Sequence, residues 1–339
     1  MQSSSTPPSI LKYMDLDCRP MPSFDPQKFI AEKIDEVKQQ LPGKAKAVIA
    51  VSGGVDSTTA AVLVHQAIGA KLTSVMVDTG FMRKGEIASN ETMLKALGLH
   101  LKVVDASDEF YKALKGIIEP ERKRKIIGEK FIRVFERVAK DVGASVLVQG
   151  TIAPDWIESG GGLRDTIKSH HNVGGLPKDM EMTLVEPLRD LYKDEVRAVA
   201  RALKVPVSER QPFPGPGLAV RIMGEATKER AEIVREACAI VEEELENAAK
   251  AGTMEIPWQY FAVLLPIKSV GVHGDVRAYG ETLAIRAVAS QDAMSAAYSK
   301  VPHEILERIS VRITNSLGKK VVRVVYDITN KPPGTIEWE

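Results

Sequence analysis

The sequence predicts an α/β protein in which a doubly wound parallel sheet is followed by a second, smaller α/β unit. Two observations lead to this prediction. Short apolar runs rich in β-branched residues alternate with helical stretches, and nearly continuous apolar strands are typical of a parallel sheet covered on both faces. In addition, the first apolar run leads directly into a Gly-rich turn and a helix, which places backbone N–H groups where they can bind an anion.

The elements of the first unit follow in chain order. The first helix carries Ile30, Ile34 and Val37 on one face, as the helical period requires. Because ligands of doubly wound sheets bind beyond the carboxyl ends of the strands, we expect the functional site at that edge. The predicted strands are Ala45–Val51, Leu72–Val77, Leu101–Val104 and Ser145–Val148, and the predicted helices are Pro26–Gln40, Val55–Ile68, Glu86–Leu97, Glu121–Lys140 and Lys193–Leu203.

A Pro-rich connector, Gln211–Gly217, separates the two units. Its prolines fix φ repeatedly and cannot continue a helix, so we place the domain boundary there. The sequence thus predicts a flexible arm over residues 1–25, a nucleotide-binding domain over 26–217 and a smaller domain over 218–339. In the smaller domain we predict helices Lys228–Lys250 and His303–Leu317 and strands Tyr260–Leu265, Leu283–Val288 and Val321–Ile328.

Composition narrows the functional class. The 46 Lys and Arg residues balance 45 Asp and Glu residues, for a net charge of +1, so net charge announces neither a nucleic acid nor an acidic membrane as partner. The apolar runs are too short to span a bilayer, and the first residues lack a secretory signal. The cysteines, Cys18 and Cys238, stand far apart without a zinc or disulfide pattern. We therefore expect a cytoplasmic protein.

The turn Ser52–Thr58 reads Ser-Gly-Gly-Val-Asp-Ser-Thr and is the strongest functional signal. A Walker A loop has a Lys before its Ser or Thr, whereas Asp56 stands there in this chain. A carboxylate beside phosphate requires a cation between them, so we predict that Asp56 holds Mg²⁺ on the pyrophosphate group of ATP. The alternative is an ordinary Gly turn between a strand and a helix. The run resembles the loop of the PP-loop ATP pyrophosphatases, which cleave ATP to AMP and pyrophosphate.

Two further positions complete the predicted ATP site. Asp78 ends the second strand and Gly150 follows the fourth, so both lie at the same edge of the sheet as the turn. For each of them a plain turn role is the alternative. The predicted ATP-binding residues are Ser52, Gly53, Gly54, Val55, Asp56, Ser57, Thr58, Asp78 and Gly150.

Other motifs widen the resemblance to most of the chain from about residue 25. Together they resemble the synthetase portion of GMP synthetases. The resemblance implies that ATP adenylates O2 of xanthosine 5′-monophosphate (XMP), and that ammonia then displaces AMP to leave GMP. It also implies that residues 26–217 form an ATP pyrophosphatase domain and that the smaller domain forms a homodimer. The motifs, besides the turn and the connector, are Arg122–Gly128, Gln149–Thr151, Ile167–Gly175, Pro266–Val272, Gly274–Asp275 and Lys331–Glu339.

The resemblance also assigns roles to individual residues. Lys168 would stabilise charge in the transition state, with His170 and His171 in a mobile lid over about 157–182. The family usually has His where Gln211 stands, so we assign that position no acid–base role. The implied XMP contacts are Arg124, Gln259, Asp275, Lys331, Ile336 and Glu337.

The source of ammonia and two alternative functions complete the expectations. About 25 residues precede the first helix, too few for a glutamine amidotransferase domain, so we expect free ammonia or a separate glutaminase subunit. A PP-loop sulphurtransferase acting on tRNA is one alternative, but it would call for reactive cysteines and a basic RNA-binding face. A non-catalytic adenine-nucleotide-binding module is the other, and it has no need of a second nucleotide site.

Overall fold

The computed structural model describes residues 24–158, 182–206 and 211–339, apart from positions 42, 44 and 292. Within these ranges, each helix is too short or too polar to cross a membrane. The helices are α1 (Pro26–Gln40), α2 (Val55–Ile68), α3 (Glu86–Ala96), α4 (Ser107–Ala113), α5 (Pro120–Val142), α6 (Ala153–Glu158), α7 (Lys193–Ala202), α8 (Lys228–Lys250) and α9 (His303–Leu317). The strands are β1 (Ala47–Ala50), β2 (Leu72–Asp78), β3 (Leu101–Asp105), β4 (Val146–Val148), β5 (Thr183–Val185), β6 (Gln259–His273), β7 (Val276–Ala289), β8 (Ala297–Tyr298) and β9 (Val321–Asp327).

The first sheet is parallel and has the strand order β3-β2-β1-β4-β5. β1 is central, because Ala47 lies opposite Leu72 of β2 on one side and Val146 of β4 on the other. The chain therefore winds in one direction through β2 and β3 and in the other through β4 and β5, which confirms the predicted doubly wound fold. The winding changes direction between β1 and β4, and ligands of such sheets bind at the carboxyl ends of these strands.

The helices around this edge begin and end where the sequence provides caps. The carboxylate of Asp25 accepts the N–H groups of Gln27 and Lys28 at 2.9 and 3.2 Å and so caps α1. Glu119 caps α5 in the same way, and α5 ends at Gly143, whose φ of 67° glycine adopts without strain. The predicted bounds of α1 and α2 are confirmed.

The second sheet is built around a long hairpin. β6 and β7 pair in antiparallel register from Gln259 opposite Val288 to His273 opposite Val276. β8 and β9 both pair with the other edge of β7, β8 antiparallel and β9 parallel. Helices α8 and α9 pack against each other, α8 against β6 and α9 against β9. This confirms a separate, smaller unit with its own sheet.

The hairpin strands are longer than the sequence predicts. The predicted bounds Tyr260–Leu265 and Leu283–Val288 are wrong, because each strand continues for several residues toward the hairpin tip. β6 passes through Pro266, where the pairing is irregular between Leu264 and Lys268. A proline is tolerated there because β6 lies at the edge of the sheet. α4, α6, β5 and β8 have no predicted counterpart.

Two clusters of buried side chains flank the parallel sheet. One lies on the side of α1, α2 and α7, and α2 contributes an unbroken buried run over Thr58–Val64. The other begins on the side of α5 and continues into the second sheet, so that Phe110 and Phe135 belong to the same cluster as Leu218 and Phe261. The two sheets therefore share one hydrophobic core, and the predicted domain boundary runs through it.

The substitution Gly217→Ala tests how tightly the connector packs against the first sheet. Gly217 has φ of 65°, and a Cβ there would lie 2.4 Å from the carbonyl oxygen of Phe81. Gly116 has φ of 72° with nothing within 4 Å of a Cβ, so Gly116→Ala is a control for the backbone penalty alone, about 1 kcal/mol. We expect Gly217→Ala to lower the free energy of unfolding by about 2 kcal/mol more than the control. Urea unfolding measures both losses, and equal losses would contradict the close packing.

Candidate active site

The Gly-rich turn after β1 is shaped by a glycine and a buried amide. Gly53 has φ of 78°, and a Cβ there would lie 2.3 Å from Nδ2 of Asn90. Asn90 is buried, and its Nδ2 donates to the carbonyl oxygen of Ser52 at 3.2 Å. α2 then begins at Val55 with Gly54 as its N-cap and no side-chain cap. This helix N-terminus therefore keeps backbone N–H groups for a negatively charged ligand.

The end of β4 meets the first turn of α2. A Cβ on Gly150 would lie 3.0 Å from the backbone N and Cα of Ser57, so only glycine permits this approach. The hydroxyl groups of Ser52 and Ser57 lie 3.3 Å apart, and Ser57 Oγ donates to the carbonyl oxygen of Gly54 at 3.3 Å. The turn and Gly150 are thus brought together, and hydroxyl and amide groups line them, as phosphate binding requires.

Asp56 lies in the first turn of α2 and pairs with Lys193, the first residue of α7. Lys193 Nζ donates to Oδ1 of Asp56 at 2.8 Å and to Oδ2 at 2.6 Å. The Lys193 side chain is 44% exposed and that of Asp56 29%, so both can reach a ligand. A carboxylate and an ammonium group at an anion site supply one ligand for a hard cation and one countercharge for phosphate.

Asp78 ends β2 and makes a turn. Its Oδ1 accepts the N–H of Gly80 at 2.8 Å, which fixes the course of the chain beyond the strand. The structure therefore gives Asp78 the turn role that the sequence left as the alternative. Its contact with a nucleotide stays a prediction.

A second polar cluster forms around Glu337. Arg221 is fully buried and grips the Glu337 carboxylate as a fork, with Nη2 to Oε1 at 2.8 Å and Nε to Oε2 at 3.2 Å. Its guanidinium carbon lies 4.1 Å from the ring centre of Phe261. Gln259 Nε2 donates to Glu337 Oε1 at 2.9 Å and to the carbonyl oxygen of Pro212 at 3.2 Å. The predicted residues Gln259 and Glu337 are thus neighbours, and both are tied to the connector half of the molecule.

The other predicted residues of the C-terminal segment are also anchored. The backbone of Lys331 pairs with that of Ala296 through two hydrogen bonds of 2.8 and 3.0 Å, and Lys331 Nζ donates to the carbonyl oxygen of Ala293 at 2.8 Å. Ile336 is buried in the shared core. Arg286, fully buried in β7, donates to the carbonyl oxygen of the preceding Thr335 at 3.1 Å. The segment is therefore ordered and held against the second sheet.

The end of the chain contacts α5 of the first unit. Lys123 is fully buried; it donates to the carbonyl oxygen of Ile222 at 2.7 Å and pairs with the carboxylate of Glu339. Burial lowers the pKa of Lys123 and raises the pKa of Glu339. The neighbouring Arg124 donates to the main-chain oxygen of Glu339. The predicted residue Arg124 therefore lies at the end of the same segment that carries Glu337.

Other predicted residues are not brought to these clusters. Asp275 is exposed at the tip of the β6–β7 hairpin, about 45 Å along β6 from Gln259. Lys168, His170 and His171 lie outside the described residues, as does the predicted lid apart from its ends. The roles of these residues stay predictions.

Comparison with known proteins follows the same division of the chain. Residues 246–338 match the family model of the GMP synthase C terminal domain, and residues 27–137 match that of NAD synthase. One subunit of the glutamine-hydrolyzing GMP synthase of Methanopyrus kandleri is 60% identical over 319 residues, covering 93% of this chain and 100% of that protein. The chain belongs to the GMP synthase family.

Two further members of the GMP synthase family define its extent. The corresponding subunit from Pyrococcus furiosus is 59% identical and is matched over 92% of this chain and 97% of its own length. The glutamine-hydrolyzing GMP synthase of Clostridium acetobutylicum is 56% identical over 92% of this chain, but only 61% of its own length is matched. This GMP synthase family member therefore corresponds in extent to the two archaeal subunits and not to the longer enzyme.

Sequence reasoning missed three side chains that shape the site: Asn90, Lys193 and Arg221. Arg221 could have been found, because it stands in the apolar run Gly217–Ile222 and a charged residue buried among apolar ones needs a partner. Asn90 and Lys193 carry no such signal, since each is an ordinary polar residue on a helix. They reach the turn only through tertiary structure.

The substitution Gly53→Ala tests the shape of the turn. Its Cβ would collide with Asn90, so the turn must move, and we expect the rate of ATP-dependent pyrophosphate release to fall about 100-fold. Gly85→Ala is the control, because Gly85 has φ of 70° with nothing within 4 Å of a Cβ. A pyrophosphate-release assay compares the two. A Gly53→Ala rate close to that of Gly85→Ala would contradict the role of this close contact.

Proposed function

We propose that this member of the GMP synthase family converts XMP to GMP at the expense of ATP. In the first step O2 of XMP attacks the α-phosphorus of ATP, the bond to the β-phosphate breaks, and pyrophosphate leaves. In the second step ammonia attacks C2 and loses a proton, the C2–O bond breaks, and AMP leaves with that oxygen. An oxygen on a purine carbon is a poor leaving group, and adenylation turns it into a good one.

The observation that carries this proposal is that one chain assembles two polar sites and ties them together. The turn Ser52–Thr58 suits a phosphate group, and the cluster around Glu337 offers an amide and a carboxylate of the kind that bind a base or a ribose. A module that binds adenine nucleotide alone has no use for the second cluster. A sulphurtransferase would need a reactive thiol, whereas Cys238 is buried and burial raises its pKa.

Asp56 is the residue that would hold Mg²⁺ at the ATP site. Its carboxylate is a hard oxygen ligand and reaches the surface beside the N-terminus of α2. Among the described residues no three His, Cys, Asp or Glu side chains cluster as a metal site, so phosphate oxygens and water would complete the coordination, as is usual for this ion. When bound, Mg²⁺ neutralises charge on the departing pyrophosphate. Lys193, released from Asp56, then pairs with phosphate.

The substrate contacts follow from the residue types. Glu337 and Gln259 provide acceptors for N–H groups of the base or ribose hydroxyl groups, and Lys331 and Arg124 provide donors for phosphate or a carbonyl edge. Ile336 packs against apolar parts of the substrate. From the family resemblance we further propose that Lys168 stabilises transition-state charge, and that His170 and His171 belong to a lid that excludes water on closure.

Ammonia comes from solution or from a separate glutaminase subunit in this proposal. Its support is that the match covers all or nearly all of the two archaeal relatives but 61% of the longer GMP synthase. A cytoplasmic location fits a chain with two cysteines in 339 residues.

We also propose a homodimer formed through the β6–β7 hairpin. Val270, Val272 and Tyr279 share one face of the hairpin, because Val270 pairs with Tyr279, and they are 56%, 77% and 68% exposed. A second copy of the chain would cover this apolar face. It would also bring Asp275 of one copy toward the substrate cluster of the other, which a single chain holds about 45 Å away along β6.

The direct test of the proposed function incubates the chain with ATP, Mg²⁺, XMP and ammonium and follows nucleotides by chromatography. We expect GMP, AMP and pyrophosphate in equal amounts, and little product with glutamine instead of ammonium. Asp56→Asn should lower the rate at least about 100-fold, because it removes the charge that holds the cation. Asp194→Asn, at a first-turn aspartate whose side chain is 96% exposed, should not.

Failure of the wild-type chain to form GMP and AMP would sink the proposed reaction. Activity with glutamine and no partner would contradict the proposed ammonia source. Equal rates for the two aspartate variants would remove Asp56 from the proposed site.

Light scattering tests the proposed dimer. We expect a mass of twice 37.1 kDa at micromolar concentration, and a monomer for Val272→Lys/Tyr279→Lys, because two charges cannot be buried unpaired. Ile118→Lys is the control, since Ile118 is 66% exposed but lies in the first unit. A monomeric wild type, or a dimer that survives the double substitution, would contradict the hairpin interface.

A further inference from the structure

The segment that follows Asp78 is bound by the other half of the molecule. The carbonyl oxygen of Phe81 accepts the N–H of Leu218 at 2.8 Å, and that of Met82 accepts Nε of Arg235 at 3.0 Å. Leu218 follows the connector, and Arg235 belongs to α8. A strand end that carries a predicted ATP residue is therefore fixed to the half that carries the predicted XMP residues.

Arg83 ends this segment and makes the most varied contact across the molecule. Its side chain is only 10% exposed, and its Nε lies 3.3 Å from Oε1 of Glu242 on α8. Its Nη2 donates to the carbonyl oxygens of Gln211 and Pro212 at 3.2 and 3.4 Å, and its guanidinium carbon lies 4.2 Å from the ring centre of Phe213. A planar guanidinium can serve two carbonyl groups, a carboxylate and a ring face at once, which a lysine cannot.

The contacts of Arg83 are held in place by Gln211. Gln211 Nε2 donates to Glu242 Oε1 at 2.9 Å, and Gln211 Oε1 accepts the N–H of Tyr260 at 2.7 Å. One amide therefore pins the start of the connector both to α8 and to β6. An amide makes these two bonds at any pH near neutrality, because it does not titrate.

The carbonyl oxygen of Pro212 links Arg83 to the substrate cluster. It accepts Nη2 of Arg83 on one side and Nε2 of Gln259 on the other. The same nitrogen of Gln259 also donates to Glu337. A displacement of Arg83 therefore changes the position of a carbonyl group that orients Gln259, and through it Glu337.

We propose that Arg83 is a positioning residue that couples binding at the ATP site to binding at the XMP site. The identities of the two ligands rest on the proposed function. Arg83 lies five residues after Asp78 in the segment that leaves the ATP side, and it binds the carbonyl group that orients Gln259. Each ligand favours the same placement of this segment, so each raises the affinity for the other by the same factor, as thermodynamic linkage requires.

The test measures the dissociation constant of XMP by isothermal titration calorimetry, with and without Mg²⁺ and a non-hydrolysable ATP analogue. For the wild-type chain we expect the analogue to tighten XMP binding. For Arg83→Met we expect the ratio of the two constants to fall about tenfold, toward one. Lys84→Met is the matched control: Lys84 also reaches α8, at 2.6 Å from Glu236, but its side chain is 57% exposed. An exposed pair of this kind contributes little, so the ratio should not change.

A second variant separates positioning from stability. Arg83→Met leaves the mostly buried Glu242 without its cation, and burial already raises the pKa of Glu242, so the melting temperature should fall. Arg83→Met/Glu242→Gln removes that charge and should recover most of the loss. The lost coupling should persist in this double variant, because the bonds from Arg83 to the connector carbonyl groups are still absent.

Two results would overturn the proposal. One is a wild-type chain whose XMP affinity does not respond to the analogue. The other is a double variant whose coupling returns together with its melting temperature. Formation of GMP by the same wild-type preparation is measured alongside, so that loss of the coupling proposal is distinguished from loss of the proposed function.

Discussion

The backbone carbonyl groups of Gly80, Phe81 and Met82 carry the contact on which the rest of the structure depends. All three accept hydrogen bonds from the second half of the chain, two from Arg235 and one from Leu218. A backbone carbonyl cannot change rotamer, so the end of β2 has one position relative to α8 and the connector. Leaving such a group unpaired in the interior costs about 1–3 kcal/mol. This constraint explains why the two sheets share a core.

Buried cations extend this constraint to the C-terminal segment. Lys123 of α5, Arg221 beside the connector and Arg286 of β7 are all fully buried, and each binds part of the same segment. The desolvation of a buried ion pair offsets much of its attraction, so these three residues add little net stability. Their effect is to admit one path for the segment, which carries Lys331 and Glu337.

The sequence is most informative where structure is local. The period of apolar residues and the capping residues place α1, α2, α8 and α9 at their observed bounds, and the glycines of Ser52–Thr58 predict the turn. Pairings such as that of Lys193 with Asp56, 137 positions apart, leave no local pattern. Gln211 illustrates the same limit, because only the fold reveals the two groups that its amide joins. The extended hairpin escapes prediction because Pro266 resembles a strand end.

Isotope transfer tests most directly whether the two polar sites form one reaction centre. XMP labelled with ¹⁸O at O2 is converted with ATP and ammonium, and the AMP is analysed by mass spectrometry. If O2 attacks the α-phosphorus of an ATP held at the turn, one labelled oxygen appears in each AMP formed, because the C2–O bond breaks in the second step. Unlabelled AMP, with the label in water or in pyrophosphate, would contradict a shared centre.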